Sequence, residues 1–289
     1  WAEGAPSALD SLLARAEEAI AEGDLERGRE LCEEALDLSR DAHRAQWTLA
    51  VIALEEDDPD EAVKRARKAV DGDDGNVQYR MTLADAYGSK AMQGGLRSMM
   101  YGGRYKGELE AVLELDPEHI GAHFGLLYYG VYAPGIAGGG MDTAWERADI
   151  IAAIDEYYGH LARAVLAKRE DDFVRADGEY LAAARVDTTN SEGWYVLGNY
   201  YLETERPELA VEPLERALAL APDDLVTVYQ LAKALYQSGA DLVAAEAGFR
   251  EYIASDGRPR EPGVASAHWR LGLVLEAQGR HDEAMAEYH

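Results

Sequence analysis

His119 and His123 stand four residues apart, a spacing that sets both imidazoles on one face of a helix, where they could share a metal ion. The zinc-peptidase pattern needs Glu directly after the first His, and Ile120 holds that place. His123 therefore reads as a packed residue and His119 as a helix start, and no metal is expected. Two glycine-rich stretches, GGLRSMMYGGRYKG and GIAGGGMDT, invite a nucleotide reading. Neither ends in Gly-Lys-Ser/Thr, and neither follows a strand pattern, so the phosphate-cradling geometry has no basis. Carboxylate pairs are everywhere in the chain and single out no position. No nucleophile, base and orienting group can be assembled from the sequence, so neither catalysis nor a cofactor is expected.

The charge balance narrows the partners. Of 289 residues, 55 are Asp or Glu and 28 are Lys or Arg, a net charge of −27. Such a surface repels phosphate backbones and anionic lipid heads, which disfavours nucleic acid and membrane surfaces as partners. It also favours solubility, and would suit a salty habitat or a GC-rich genome. Cys32 is the only cysteine, which excludes an intrachain disulfide and a cysteine-based zinc site. Its neighbours read as core, so the thiol reads as a small packing group. The stretch 120–141 lacks Asp, Glu, Lys and Arg, but Pro134, its glycines, three tyrosines and His123 interrupt its apolarity, and no transmembrane segment is expected. The chain opens at Trp1 and stops at DEAMAEYH in mid-pattern, so both ends read as processed or truncated.

The elements that would position any site follow from a repeat. In GWYVLGNYYLETERPELAVEPLERALALAPDD, residues 193–224, Trp194, Leu197, Gly198 and Tyr201 recur at i, i+3, i+4 and i+7, the stripe of an amphipathic helix. Ala210, Leu214 and Ala217 make a second stripe, and Pro222 ends it. Gly198 and Ala210 are small where the two helices must approach. The same register returns in 226–253, 267–288, 45–74, from Leu9 onward, and in a worn copy at 160–189. These units resemble the tetratricopeptide repeat, a helix-turn-helix unit of about 34 residues. The resemblance implies an all-α fold, a right-handed α-solenoid of about eight repeats whose first helices line a concave face. The chain divides on this reading into 1–76, regular units; 77–156, divergent units; and 157–289, regular units with the last cut off.

The third and fourth units break the period. The third is several residues too long between VQYRMTLADAY and ELEAVLELDPEH, and the excess reads as an enlarged turn between its two helices. From Ala86 to Gly107 this segment has no acidic residue, while Lys90, Arg97, Arg104 and Lys106 are basic. It reads either as a docking site for an acidic partner segment or as a longer turn that offsets neighbouring carboxylates. In the fourth, helix cannot continue into Pro134, and Gly135, Gly138, Gly139 and Gly140, around Ile136, permit positive φ and close backbone approach before a second helix restarts near Asp142. Both turns should lie on one edge of the solenoid. Residues 97–144 also resemble a divergent repeat pair of bacterial tetratricopeptide proteins, many of them exported, whose signature includes an LELDP-type repeat end and APGIAGG. That kinship tilts the expected location slightly toward the extracytoplasmic side.

The register assigns the concave wall to Trp47, Phe124, Tyr195, Tyr229 and Trp269, with Asn199, Leu202, Lys233 and Tyr236 a turn further on. Aromatic groups there offer stiff contact area for a peptide or helix, although the repeat also uses tyrosine simply for packing. Some tetratricopeptide domains clamp a C-terminal carboxylate with Lys, Asn, Asn, Lys and Arg. Asn199 and Arg270 match that set, whereas Tyr195, Gln230 and Ser266 depart from it, which puts a chaperone-docking role in doubt. The leading expectation is a non-enzymatic scaffold that binds a protein partner in the aromatic groove, with the enlarged turns as a second contact. The alternatives are a small-ligand or ion-binding module at the Gly-rich edge near Tyr128, Tyr129 and Tyr132, and a structural subunit that self-associates through its terminal repeats.

Overall fold

The computed structural model describes residues 7–255 and 262–289, with sixteen α-helices and one short 3-10 turn among them. Two compact units partition the chain, Trp1–Ile154 and Asp155–His289. The first contains the pairs α1 (Ala8–Ala21) with α2 (Leu25–Leu38), α3 (His43–Glu55) with α4 (Pro59–Gly72), α5 (Val77–Met92) with α6 (Leu96–Leu115), and α7 (Ile120–Tyr132) with α8 (Met141–Ile154). The second contains α9 (Glu156–Arg169) with α10 (Phe173–Val186), α11 (Ser191–Glu203) with α12 (Pro207–Leu220), α13 (Leu225–Ser238) with α14 (Leu242–Ala254), and α15 (Val264–Ala277) with α16 (His281–Glu287). The eight pairs are the eight repeats expected from the sequence.

Each helix begins and ends for a local reason. Asp24, Asp58, Asp172 and Asp241 cap second helices by accepting a backbone N–H from the first turn, and Asn76, Asp155, Asn190 and Asp224 do so for first helices. Part of the acidic composition is therefore capping. Within the pairs, one turn position is left-handed in six repeats: Gly23, Asp57, Asp171, Glu205, Gly239 and Gly279, with φ between 56° and 81°. In five of the six the residue after it returns an N–H across the helix end, as from Asp58 to the Ala53 carbonyl at 2.8 Å. Repeats three and four lack this turn.

Small residues set the helix spacing. A Cβ on Gly198 would stand 2.5 Å from Leu214 Cγ, so glycine is needed where α11 meets α12. First helices also touch one another, α1 on α3 on α5 and α11 on α13 on α15, and this makes them one wall of each unit. No helix among the described residues is long and apolar enough to cross a membrane.

Cys32 is fully buried among Leu13, Leu31, Ala35 and Leu49, and desolvation pushes its thiol up to about 11. A disulfide reagent at pH 8 is therefore expected to label the native protein far more slowly than the denatured chain. Native labelling at the unfolded rate would show that the first two repeats open freely.

Candidate functional site

The third repeat departs from expectation. Its extra residues do not enlarge a turn. They lengthen both helices, α5 to 16 residues and α6 to 20, and only Gln93, Gly94 and Gly95 connect them. Gly94 and Gly95 reverse the chain at φ 83° and 66°. Gly88, Gly102, Gly103 and Gly107 stay helical although each costs about 1 kcal/mol relative to Ala, because aromatic and cationic side chains pack the extension. Tyr87 stacks on Tyr101 with centroids 5.9 Å apart, Lys90 lies 4.7 Å over the Tyr101 ring, and Arg104 lies over both rings.

That packing consumes the basic cluster. Lys90 is covered on α5 and ion-paired to Asp60, which holds the carboxyl below its ordinary range. Arg97 donates to the Gln93 side chain, and Lys106 pairs with Glu110 at 3.4 Å while reaching over the Tyr129 ring. These residues lie within α5 and α6, with Arg97 and Arg104 still exposed, so the expected basic turn does not form.

In the fourth repeat the turn is as expected, and it is tightly held. The helix stops at Tyr132, Pro134 starts a 3-10 turn over Gly135–Ala137, and α8 restarts at Met141 with Asp142 in its first turn. Tyr129 Oη donates to the Ala137 carbonyl at 2.8 Å, and Gly140 N–H donates to the Gly130 carbonyl at 2.7 Å. Gly138 and Gly140 take positive φ, while Gly139 serves close approach, since a Cβ there would fall 1.9 Å from the Ala133 carbonyl oxygen. Gly135 uses neither freedom, and Ile136 stands 90% exposed at the tip.

The two histidines hold the start of α7. His119 Nδ1 accepts the Ala122 N–H at 3.1 Å. His123 is buried, its Nε2 donating to the Pro117 carbonyl at 2.9 Å and its Nδ1 accepting from Arg147 at 3.0 Å, and burial lowers its pKa. Both nitrogens of His123 are thus committed to the protein.

The expected groove residues divide. In the first unit Trp47 donates from its indole to Thr82 Oγ1 at 2.9 Å and lies beside Tyr79, tying α3 to α5, while Phe124 is half-buried beside Tyr128. In the second unit Tyr229 and Leu202 lie in the core, contrary to their expected place on the wall. Their helices turn that side toward α14 and toward α12, where Phe249 and Leu214 cover them. Tyr195, Asn199, Lys233, Tyr236 and Arg270 are half-buried, and Trp269 is 52% exposed. Arg270 donates from Nε to Tyr229 Oη at 2.7 Å, with its guanidinium flanked by the Tyr229 and Trp269 rings. Burial and the neighbouring Arg270 both lower the Lys233 pKa, and among the described residues no carboxylate lies within ion-pairing distance of either cation. Gln230 Oε1 on the same helix is buried without a hydrogen bond.

A further site escaped the sequence reading. A cavity of about 710 Å³ opens between the far ends of α5, α6 and α7 and the Pro134 turn, bordered by Asp85, Met92, Met99, Tyr105, Tyr128 and Tyr132. Tyr128 and Tyr132 mark the Gly-rich edge noted from sequence. Asp85 lies one residue outside the acid-free stretch. Its only sequence signal was the spacing Asp85, Gly88, Ser89, Met92, one face of α5.

Family models described as tetratricopeptide repeat match residues 19–86, 191–224 and 229–288. These spans leave 87–190, with the divergent repeats, unmatched. No curated protein sequence matches the chain. Among solved structures, yeast Tom70 superposes with a TM-score of 0.69 at 16% identity, covering 99% of this chain and 61% of Tom70. A tetratricopeptide repeat protein of Parabacteroides merdae gives 0.55 at 14% identity, covering 93% of this chain and 100% of that one. A thermophilic protein of the same kind from Thermus thermophilus gives 0.50 at 20% identity, with 79% and 99% covered. At these identities the likeness is one of fold.

Proposed function

Since this chain is a tetratricopeptide repeat protein, a family of protein-interaction scaffolds, we propose that it is a non-catalytic scaffold whose second unit binds an extended partner segment along α11, α13 and α15. The reading rests on one observation. Lys233 and Arg270 are half-buried neighbours with no carboxylate at ion-pairing distance, Glu203 acting on Lys233 only from further off, in a protein of net charge −27. Two adjacent cations without an ion-paired carboxylate, in a chain so rich in carboxylates, are a place for an anion from outside. An aspartate, glutamate or C-terminal carboxylate of the partner would dock between them, with Asn199 as an added polar contact and an apolar neighbour lying on Trp269. The negative surface around the groove turns away uniformly acidic proteins and leaves this one point of opposite sign to fix register.

The test is selection from a displayed peptide library followed by titration of the selected sequences. Enriched peptides are expected to carry a carboxylate beside an apolar residue. The double substitution Lys233→Ala and Arg270→Ala is expected to weaken them at least about tenfold, the scale of charge-assisted hydrogen bonds. Peptides without an acidic group, or equal binding to the double variant, would overturn the reading.

A further inference from the structure

The cavity of the first unit is independent of that groove, and its chemistry points the other way. Its volume, about 710 Å³, falls in the range of small-molecule sites. Three helices shape it through what they lack as much as what they carry: Gly88, Gly102 and Gly103 leave the space open, and tyrosine side chains border it. Asp85 lines the cavity and is exposed there, with the buried residues Ala84 and Ala86 on either side of it in the chain. Desolvation alone raises its carboxyl pKa, with no hydrogen bond or counter-charge acting on it. Of the nearby basic residues, Lys90 is paired with Asp60, Arg104 lies over two tyrosine rings, and Lys106 pairs with Glu110 while reaching over the Tyr129 ring.

An unpartnered carboxylate beside aromatic side chains is complementary to one class of ligand. A cation gains from Asp85 by charge and from the rings of Tyr128 and Tyr132 by their negative quadrupoles, the Tyr129 ring being already met by Lys106. An anion would be repelled both by Asp85 and by the overall field. We propose that the cavity between α5, α6, α7 and the Gly-rich turn binds an organic ammonium ion, its charge on Asp85 and its apolar body among the tyrosines, Met92 and Met99. This is the opposite sign from the acidic ligand that the basic residues of the segment suggest in sequence.

The probes are benzyltrimethylammonium and Nα-acetyl-lysine methylamide, with benzyl alcohol and benzoate as controls, measured on the whole chain by calorimetry and thermal shift. Saturable binding of an ammonium probe is expected, with benzoate and benzyl alcohol silent. Tighter binding of the aryl ammonium assigns the site to a small organic ammonium ion, and tighter binding of the lysine mimic assigns it to a protein side chain. Asp85→Asn is expected to weaken the ammonium by about tenfold or more. The same change should raise the unliganded Tm at pH 7. A carboxyl whose folded pKa is raised costs stability above that pKa, and the cost vanishes as pH falls below its unfolded value. Gly103→Leu supplies a second variant: a Cβ there meets nothing within 4 Å and leucine favours helix, so the fold should hold while the cavity fills and binding is lost. No saturable ammonium binding, binding of benzoate as tight, or undiminished binding in both variants would overturn the proposal.

Discussion

Phe249→Ala is expected to destabilise the Asp155–His289 unit by about 3–5 kcal/mol, the cost of emptying a fully packed aromatic site. Phe249 is 0% exposed and meets Tyr229 edge-on at 5.4 Å between centroids. Around it gather Leu235, Tyr252, Leu271 and Leu275, so side chains of α13, α14 and α15 share one core. Tyr252 extends the cluster by donating its hydroxyl to the Pro262 carbonyl. Relaxation into the vacancy is limited because these neighbours are themselves held, Tyr229 by Ser266 at 2.7 Å and by Arg270. In a solenoid stability is a sum of repeats and their interfaces, so the loss should be local. Hydrogen exchange is expected to accelerate across α13–α16 and to remain unchanged across α1–α4. Trp269→Ala, on the exposed wall of α15, should cost no more than about 1 kcal/mol. Equal destabilisation by the two changes would show that the core and the wall have been assigned the wrong way round.

Gly139→Val should be nearly as damaging, by about 3 kcal/mol, through a different mechanism. The Ala133 Cβ, at 3.0 Å, is the lesser obstacle. The obstruction is the Ala133 main chain, 1.9 Å from the new Cβ, and it cannot move without breaking the carbonyl network of the turn. Because Pro134 and Ala137 border the cavity and Tyr129 is anchored to Ala137, opening the turn should also abolish ammonium binding. Gly135→Ala is the matched control. Its Cβ meets nothing and its φ is not positive, so the unfolding free energy from denaturant titration should move by less than about 0.5 kcal/mol. A Gly139→Val protein with parental stability would show that the turn has a second conformation of equal energy.

Some of this was legible in the sequence and some was not, and the division follows the range of the forces. Repeat number, helix pairing and helix ends depend on spacing within about 34 residues, on caps such as Asp58 and Asn190, and on small residues such as Gly198, so they could be read directly. Pro134 stopping α7 is equally local. The fate of the third repeat was not. Its glycines weigh against helix on propensity, and only the stacking of Tyr87, Tyr101 and Arg104 across two helices overrides them.

The wall was half legible for a related reason. A helical stripe identifies an apolar face but not which neighbour will cover it. Tyr229 and Trp269 sit at comparable register positions, yet α14 presses Phe249 onto the first while the second remains at the surface. By itself the sequence determined the family, the eight helix pairs and the break in their rhythm, because these arise from local periodicity and backbone stereochemistry. The tertiary structure alone decided which cations are ion-paired and that Lys233 and Arg270 lie together without a carboxylate at pairing distance, and it alone brought Asp85 to one cavity with the tyrosines of another repeat. Charge compensation and cavity formation depend on residues that meet only when separate helices pack.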